Sequence, residues 1–179
     1  IEIPPTLEII IFFFIFAAEI LGTLNSFYTL IPFWDTMLHT VNGFLAAAIG
    51  FSLIWLLNDS DRQKVNLSPL YLCIVAFCFS MTIGVVWEFL EFGMDMLFGM
   101  DHQRDTVVQG INSRLLDPVV FGAEKSITGI QEVIINGQSL GLNGYLDIGL
   151  IDTMKDMFVN FIGAFVFSIF GYFYARYYK

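Results

Sequence analysis

Three stretches of this sequence combine carboxylates with histidine or asparagine at spacings that bring the side chains to one face of a helix. At 3.6 residues per turn, Asp35, His39 and Asn42 fall within one narrow stripe. The other two stripes are Glu88, Glu91 and Asp95, and then Asp152, Asp156 and Asn160. One further carboxylate, Glu19, stands near the end of an apolar run. Oxygen-rich sets with one imidazole are typical of sites for magnesium, manganese, calcium or iron(II).

The elements that must position these stripes are four apolar segments, each long enough to cross a bilayer, which takes ~20 helical residues. They cover about residues 7–24, 35–57, 69–98 and 152–175. Of the 179 residues, 56% are hydrophobic and 14% charged, against about 25% charged in soluble domains. This composition argues against a soluble protein, and the net charge of −9 argues against a nucleic-acid partner. We predict an all-α, multi-pass membrane helix bundle that forms a single domain over residues 1–179.

Basic residues near the ends of the spans predict the orientation of the bundle. Arg62 and Lys64 occupy the short turn at 58–68, and Arg176 and Lys179 follow the fourth span. Cytoplasmic loops carry an excess of such residues, so both chain ends and the short turn are expected in the cytoplasm. The long loop at 99–151 is then expected outside the cell, and a homo-oligomer is compatible with this arrangement.

The up-and-down topology brings the polar stripes together at the outer side of the bundle. The expected metal ligands are Asp35, His39, Glu88, Glu91, Asp95, Asp152 and Asp156, with Glu19, Asn42 and Asn160 as supporting polar groups. So many carboxylates cannot share a dry site without cations or protons. The sequence therefore predicts a divalent metal cofactor. Two alternatives remain open: a protonated hydrogen-bonded network, or a set of wet rim residues and helix N-caps, the caps being Asp35 and Asp152.

The long loop contributes a second set of charged residues. His102, Arg104 and Arg114 are candidate substrate contacts, because guanidinium groups bind phosphate or carboxylate in a bidentate manner. This role requires the loop to fold over the acidic cluster. The alternative is an ordinary solvated loop.

Three short motifs resemble those of a known family. They are Trp34-Asp35-x-x-x-His39-x-x-x-Gly43, Trp87-Glu88-x-x-Glu91 and Asp152-Thr153-x-x-Asp156. In this order they resemble the YjdF-type family of bacterial inner-membrane proteins, a domain family of unknown function, over about residues 4–98 and 145–175. The resemblance implies a multi-pass protein of the bacterial inner membrane and supplies no catalytic or binding residues.

The residues suggest two main functions. The first is a metal-dependent membrane enzyme of the hydrolase type that acts on a lipid-linked or amphipathic substrate, with Glu88 or Glu91 as the candidate base. The second is a cation or proton transporter, which needs polar groups that continue to the other side of the membrane. The inner halves of the spans are almost wholly apolar, which favours the enzyme. An accessory subunit with a structural acidic cluster is a third reading.

Overall fold

The protein is described here by a computed structural model that covers residues 5–58, 66–117 and 123–177. Arg62, Lys64 and Lys179, which contribute to the predicted orientation, lie outside the described residues. The described part of the chain is mostly helical, at 68%. Its three long helices are α3 (Trp34–Asn58), α4 (Pro69–Phe98) and α5 (Leu150–Tyr177). They correspond to the second, third and fourth predicted spans.

These three helices have the length and composition of membrane spans. An 18-residue stretch within each helix has a mean hydropathy of 1.8 in α3, 2.2 in α4 and 1.7 in α5. α4 has 30 residues, or about 45 Å at 1.5 Å per residue, which exceeds a hydrocarbon core of about 30 Å. Large apolar side chains such as Phe89 and Phe158 are 69% and 63% exposed. Surfaces of this kind are stable where lipid, not water, surrounds them.

The first predicted span is helical but is divided in two. α1 (Pro5–Ile15) continues into a π-helix (Phe16–Leu24), and a single turn, α2 (Phe27–Leu30), follows. α1 has 11 residues and the π-helix has 9, so neither of them alone has the ~20 helical residues that cross a bilayer. Among the described residues, three helices are therefore long and apolar enough to cross a membrane, and the first predicted span, at residues 7–24, is not confirmed.

The chain divides into two compact units: residues 1–89 with 155–179, and residues 90–154. In the first unit, α3 and α5 touch backbone to backbone at glycines. A Cβ on Gly43 would overlap the backbone of Asn160, and one on Gly163 would overlap the carbonyl of Thr40. Small residues at such crossings let helices approach closely in lipid, where apolar burial gives no driving force.

The apolar core of the first unit lies farther along the helices. Phe51, Leu72, Cys73, Ala76 and Ala175 form one buried cluster. Aromatic rings complete it, since Phe51 packs on Trp55, Phe167 and Tyr174.

The second unit contains strands that the sequence analysis treated as loop. Three antiparallel ladders form: β1 (Val107–Val108) with β6 (Tyr145–Leu146), β2 (Gly110–Ser113) with β3 (Lys125–Thr128), and β4 (Ile134–Ile135) with β5 (Gln138–Ser139). A 3-10 turn (Arg114–Leu116) follows β2. Asn136 and Gly137 connect β4 to β5 with φ angles of 52° and 80°, the values that a tight hairpin turn requires. The expectation of an all-α chain is therefore corrected in this segment.

Candidate metal site

The imidazole of His39 lies among three carboxylates of the first unit. Its Nε2 atom is 3.6 Å from Oδ1 of Asp35 and 3.8 Å from Oδ2 of Asp156. Its Nδ1 atom is 3.9 Å from Oε1 of Glu88. Two carboxylates thus face one ring nitrogen, and the third faces the other.

Each long helix contributes to this cluster. Asp35 and His39 are one turn apart on α3, Glu88 belongs to α4, and Asp156 belongs to α5. The glycine crossing at Gly43 holds α3 against α5 one turn beyond His39. The three helices thus bring four of the predicted ligands together.

All four side chains are buried. Residue exposure is 8% for Asp35 and His39, 4% for Glu88 and 2% for Asp156. Three carboxylates in so small a buried volume repel one another, and the cost of removing them from water is large unless positive charge or protons accompany them. One imidazole supplies at most one positive charge. The electrostatics therefore favour an additional cation or proton in the cluster.

The distances suit a shared cation better than direct hydrogen bonds. N–H···O bonds have donor–acceptor distances of about 2.7–3.2 Å, and all three N···O distances exceed this range. Two ligands that bind one ion at about 2.0–2.6 Å are themselves about 3–4 Å apart. One ligand atom from each of Asp35, His39 and Asp156 lies within 4.8 Å of the others. These three residues could therefore hold one metal ion.

Two polar residues lie next to the cluster. Asn160, 1% exposed, is one turn from Asp156, and its Nδ2 atom lies 3.5 Å from the carbonyl of Ser80. Its Oδ1 atom accepts no hydrogen bond from the described part of the chain. The hydroxyl of Ser80 donates to the carbonyl of Gly43 at 2.7 Å. Apart from these two residues and the four of the cluster, the described buried side chains of the first unit are apolar.

In the second unit, two of the predicted ligands hold the start of the long loop. Asp95 accepts hydrogen bonds from the backbone N–H groups of His102 (2.7 Å) and Gln103 (2.8 Å). The ring Nδ1 of His102 also lies 3.0 Å from Asp95. Asp152 accepts from the backbone N–H of Arg104 at 3.1 Å. These carboxylates therefore have a structural role at residues 102–104.

Asp147 was not singled out by the sequence analysis. Its carboxylate accepts hydrogen bonds from the backbone N–H groups of Thr106 (2.6 Å) and Ile151 (2.8 Å). Burial raises the pKa of Asp147, but these backbone bonds outweigh it, so the pKa lies below its usual value. α5 begins at Leu150, so Asp152 lies inside its first turn. Asp147 precedes the helix and accepts the bond from the backbone N–H of Ile151, one of the first-turn N–H groups that have no acceptor within the helix. The signal that could have found it is an aspartate three residues before the helix.

Four predicted site residues remain: Glu19, Asn42, Glu91 and Arg114. Glu19 is exposed on the π-helix, Asn42 is half-buried on α3, and Glu91 is half-buried on the part of α4 that belongs to the second unit. Arg114 forms an exposed ion pair with Glu124 at 3.1 Å, and exposed pairs of this kind contribute little to stability.

Comparison with known proteins finds one family. The family model described as "Predicted membrane protein (DUF2238)" matches residues 1–177, which confirms the resemblance to a membrane-protein family of unknown function. No curated protein and no solved structure matches the chain.

Proposed function

We propose that this chain, which belongs to the DUF2238 family of predicted membrane proteins, binds a divalent metal ion within the bilayer. The ligands are Nε2 of His39 and the carboxylates of Asp35 and Asp156. The observation that carries the proposal is the burial of these three residues with their ligand atoms within 4.8 Å of one another. We further propose that residues 7–24 form the first of four spans and that the protein resides in the bacterial inner membrane.

Glu88 has a separate role in this proposal. Its negative carboxylate, 3.9 Å from Nδ1 of His39, favours the tautomer that carries the proton on Nδ1 and leaves Nε2 free to bind the ion. Carboxylates that orient a histidine ligand in this way fix its tautomer and increase its basicity. Glu88 is thus a positioning residue.

The proposed chemistry follows from the donor set. Two carboxylates and one imidazole suit magnesium, manganese, calcium or iron(II) and leave coordination positions for water or substrate. An ion in such a site polarises a substrate oxygen or lowers the pKa of a bound water. A site among membrane spans would serve a lipid-linked or amphipathic substrate, and hydrolysis is the reaction that this arrangement supports best.

The course of the buried polar groups supports binding or catalysis over transport. In the described first unit, they extend from Asp35 to Ser80 and Asn160 and are followed by the apolar core around Phe51 and Leu72. A transporter needs polar groups on both sides of its site.

A second candidate function is proton transfer. The observation that favours it is the position of His39 within ion-pair distance of three carboxylates, which lets protons be shared among four coupled groups. In this case the cluster needs no metal.

Metal analysis distinguishes the two functions. The detergent-purified protein is loaded in turn with each of the four ions, desalted, and analysed by elemental mass spectrometry beside Asp156→Asn. The control is Asp101→Asn, which changes an exposed aspartate of the second unit. We expect one ion per chain in the wild type and the control, and at least a tenfold loss in Asp156→Asn. An absence of metal in the folded wild type after every loading would overturn the proposal.

A further inference from the structure

An apolar groove separates the first helical segment from α3 and α4 in the first unit. Its volume is about 260 Å³. Its walls include Ile11 and Phe14 from α1, Asn42 and Ile49 from α3, and Phe79 and Ile83 from α4. Among the described residues that line it, Asn42 is the one with a polar side chain.

Physical chemistry restricts what fills this groove. A buried water needs two to four polar partners, and one asparagine cannot supply them for a space of this size. An empty space would deprive its apolar walls of packing contacts. The groove also lies among helices with the composition of membrane spans, where the surrounding solvent is hydrocarbon. A flexible hydrocarbon chain satisfies all three conditions.

The groove continues the helical stripe that carries the metal site. On α3, at 100° per residue, Asn42 and Ile49 lie within about 40° of Asp35. The polar end of the stripe is the Asp35–His39 pair, and the apolar end is Ile49. From Asn42 to Ile49 the helix rises about 10 Å. This succession of polar and apolar groups matches a molecule with a polar end and one aliphatic chain.

We propose that this groove binds one acyl chain of a membrane phospholipid, with the polar end of the lipid beside Asn42. The proposal that an acyl chain binds here rests only on the volume and lining of the groove. The assignment of this lipid as a model of the substrate class rests on the proposed metal function, because only then does its polar end reach a reactive centre.

The test uses a phosphatidylcholine that carries a photoactivatable diazirine in its acyl chain. The full-length protein is reconstituted in dioleoylphosphatidylcholine vesicles with a small fraction of this lipid, irradiated, and digested for peptide mass spectrometry. We expect labelling to concentrate on the groove walls, at the half-buried Phe14 and Phe79, and to be weaker at the exposed Phe89 and Phe158. Equal labelling of groove and exposed faces in the wild type would overturn the inference without any variant.

Two substitutions on α3 sharpen the test. Ile49→Trp fills the groove, and Val41→Trp adds the same side chain at an exposed position that does not line it. We expect Ile49→Trp to reduce groove labelling at least fivefold and Val41→Trp to leave it unchanged. Unchanged labelling in a folded Ile49→Trp protein would contradict the inference.

Metal content measured on the same samples separates the two proposals. Loss of groove labelling specificity with metal retained removes only the lipid inference. Specific, Ile49-sensitive labelling in a protein that binds no metal removes only the metal function.

Discussion

Nε2 of His39 on α3 and Oδ2 of Asp156 on α5 are 3.8 Å apart, in the part of the first unit where Gly43 lets the two helices touch. The same nitrogen faces Asp35 at 3.6 Å, whereas Glu88 faces the opposite ring nitrogen. Loss of Glu88 is therefore expected to affect metal binding differently from loss of Asp35 or Asp156.

Glu88→Gln should weaken metal binding without abolishing it. The amide dipole can still face the Nδ1–H group of His39, but the negative charge that raises the basicity of the ring is lost. Loss of such an orienting carboxylate typically reduces affinity about 10- to 100-fold. Titration calorimetry on detergent-solubilised protein would measure the change, with Glu124→Gln, an exposed glutamate of the second unit, as the control. If Glu88→Gln removes metal as completely as Asp156→Asn does, Glu88 is itself a ligand.

Gly43→Leu should separate α3 from α5 and destabilise the first unit. The new side chain would overlap the backbone of Asn160, which cannot move away as a flexible side chain can, and overpacking typically costs about 1–3 kcal/mol. Gly93→Leu is the matched control, because a Cβ there meets no atom within 4 Å. Thermal unfolding in detergent would compare the two. Equal melting temperatures would contradict the proposed close crossing.

The sequence could predict this cluster because a helix has a fixed period. The spacing of Asp35 and His39 places them on one face whatever the rest of the fold, and long apolar spans leave few ways to arrange α3, α4 and α5. Asp95 and Asp152 follow the same period, yet their partners are backbone groups at residues 102–104. The path of that segment depends on turns and tertiary contacts that have no period, so helical spacing could not predict the role of these carboxylates.

The strands of the second unit were missed for a similar reason. Two of the three ladders pair two residues with two, which is too short for an alternating pattern to emerge. The pair Asn136-Gly137 is the one strong local signal, since it favours a tight hairpin between β4 and β5. The division of the first segment at Phe16 into α-helix and π-helix has no comparable signal in its apolar sequence.

Acidification should loosen the start of α5 through Asp147. The pKa of this carboxyl is below its usual value in the folded protein, so its contribution to stability is present above the unfolded pKa of about 3.9 and is lost as pH falls through the lower folded value. Hydrogen exchange at the amides of Thr106 and Ile151 should therefore accelerate below about pH 4, after correction for intrinsic rates. In Asp147→Asn this pH dependence should disappear, whereas Asp101→Asn should keep it. A wild type whose corrected exchange is the same at pH 3 and pH 6 would contradict this role.

Asp95→Asn tests whether the predicted ligands of the second unit hold the loop or hold metal. An asparagine has one acceptor oxygen in place of two, so it cannot bind the backbone amides of His102 and Gln103 as the carboxylate does. We expect hydrogen exchange at these two amides to accelerate at least fivefold, while metal content stays at the wild-type value. The matched variant is Asp105→Asn, which removes an exposed carboxylate of the same segment and should change neither quantity. Loss of metal in Asp95→Asn would contradict a purely structural role and would indicate that Asp95 is a metal ligand, as the helical spacing predicts.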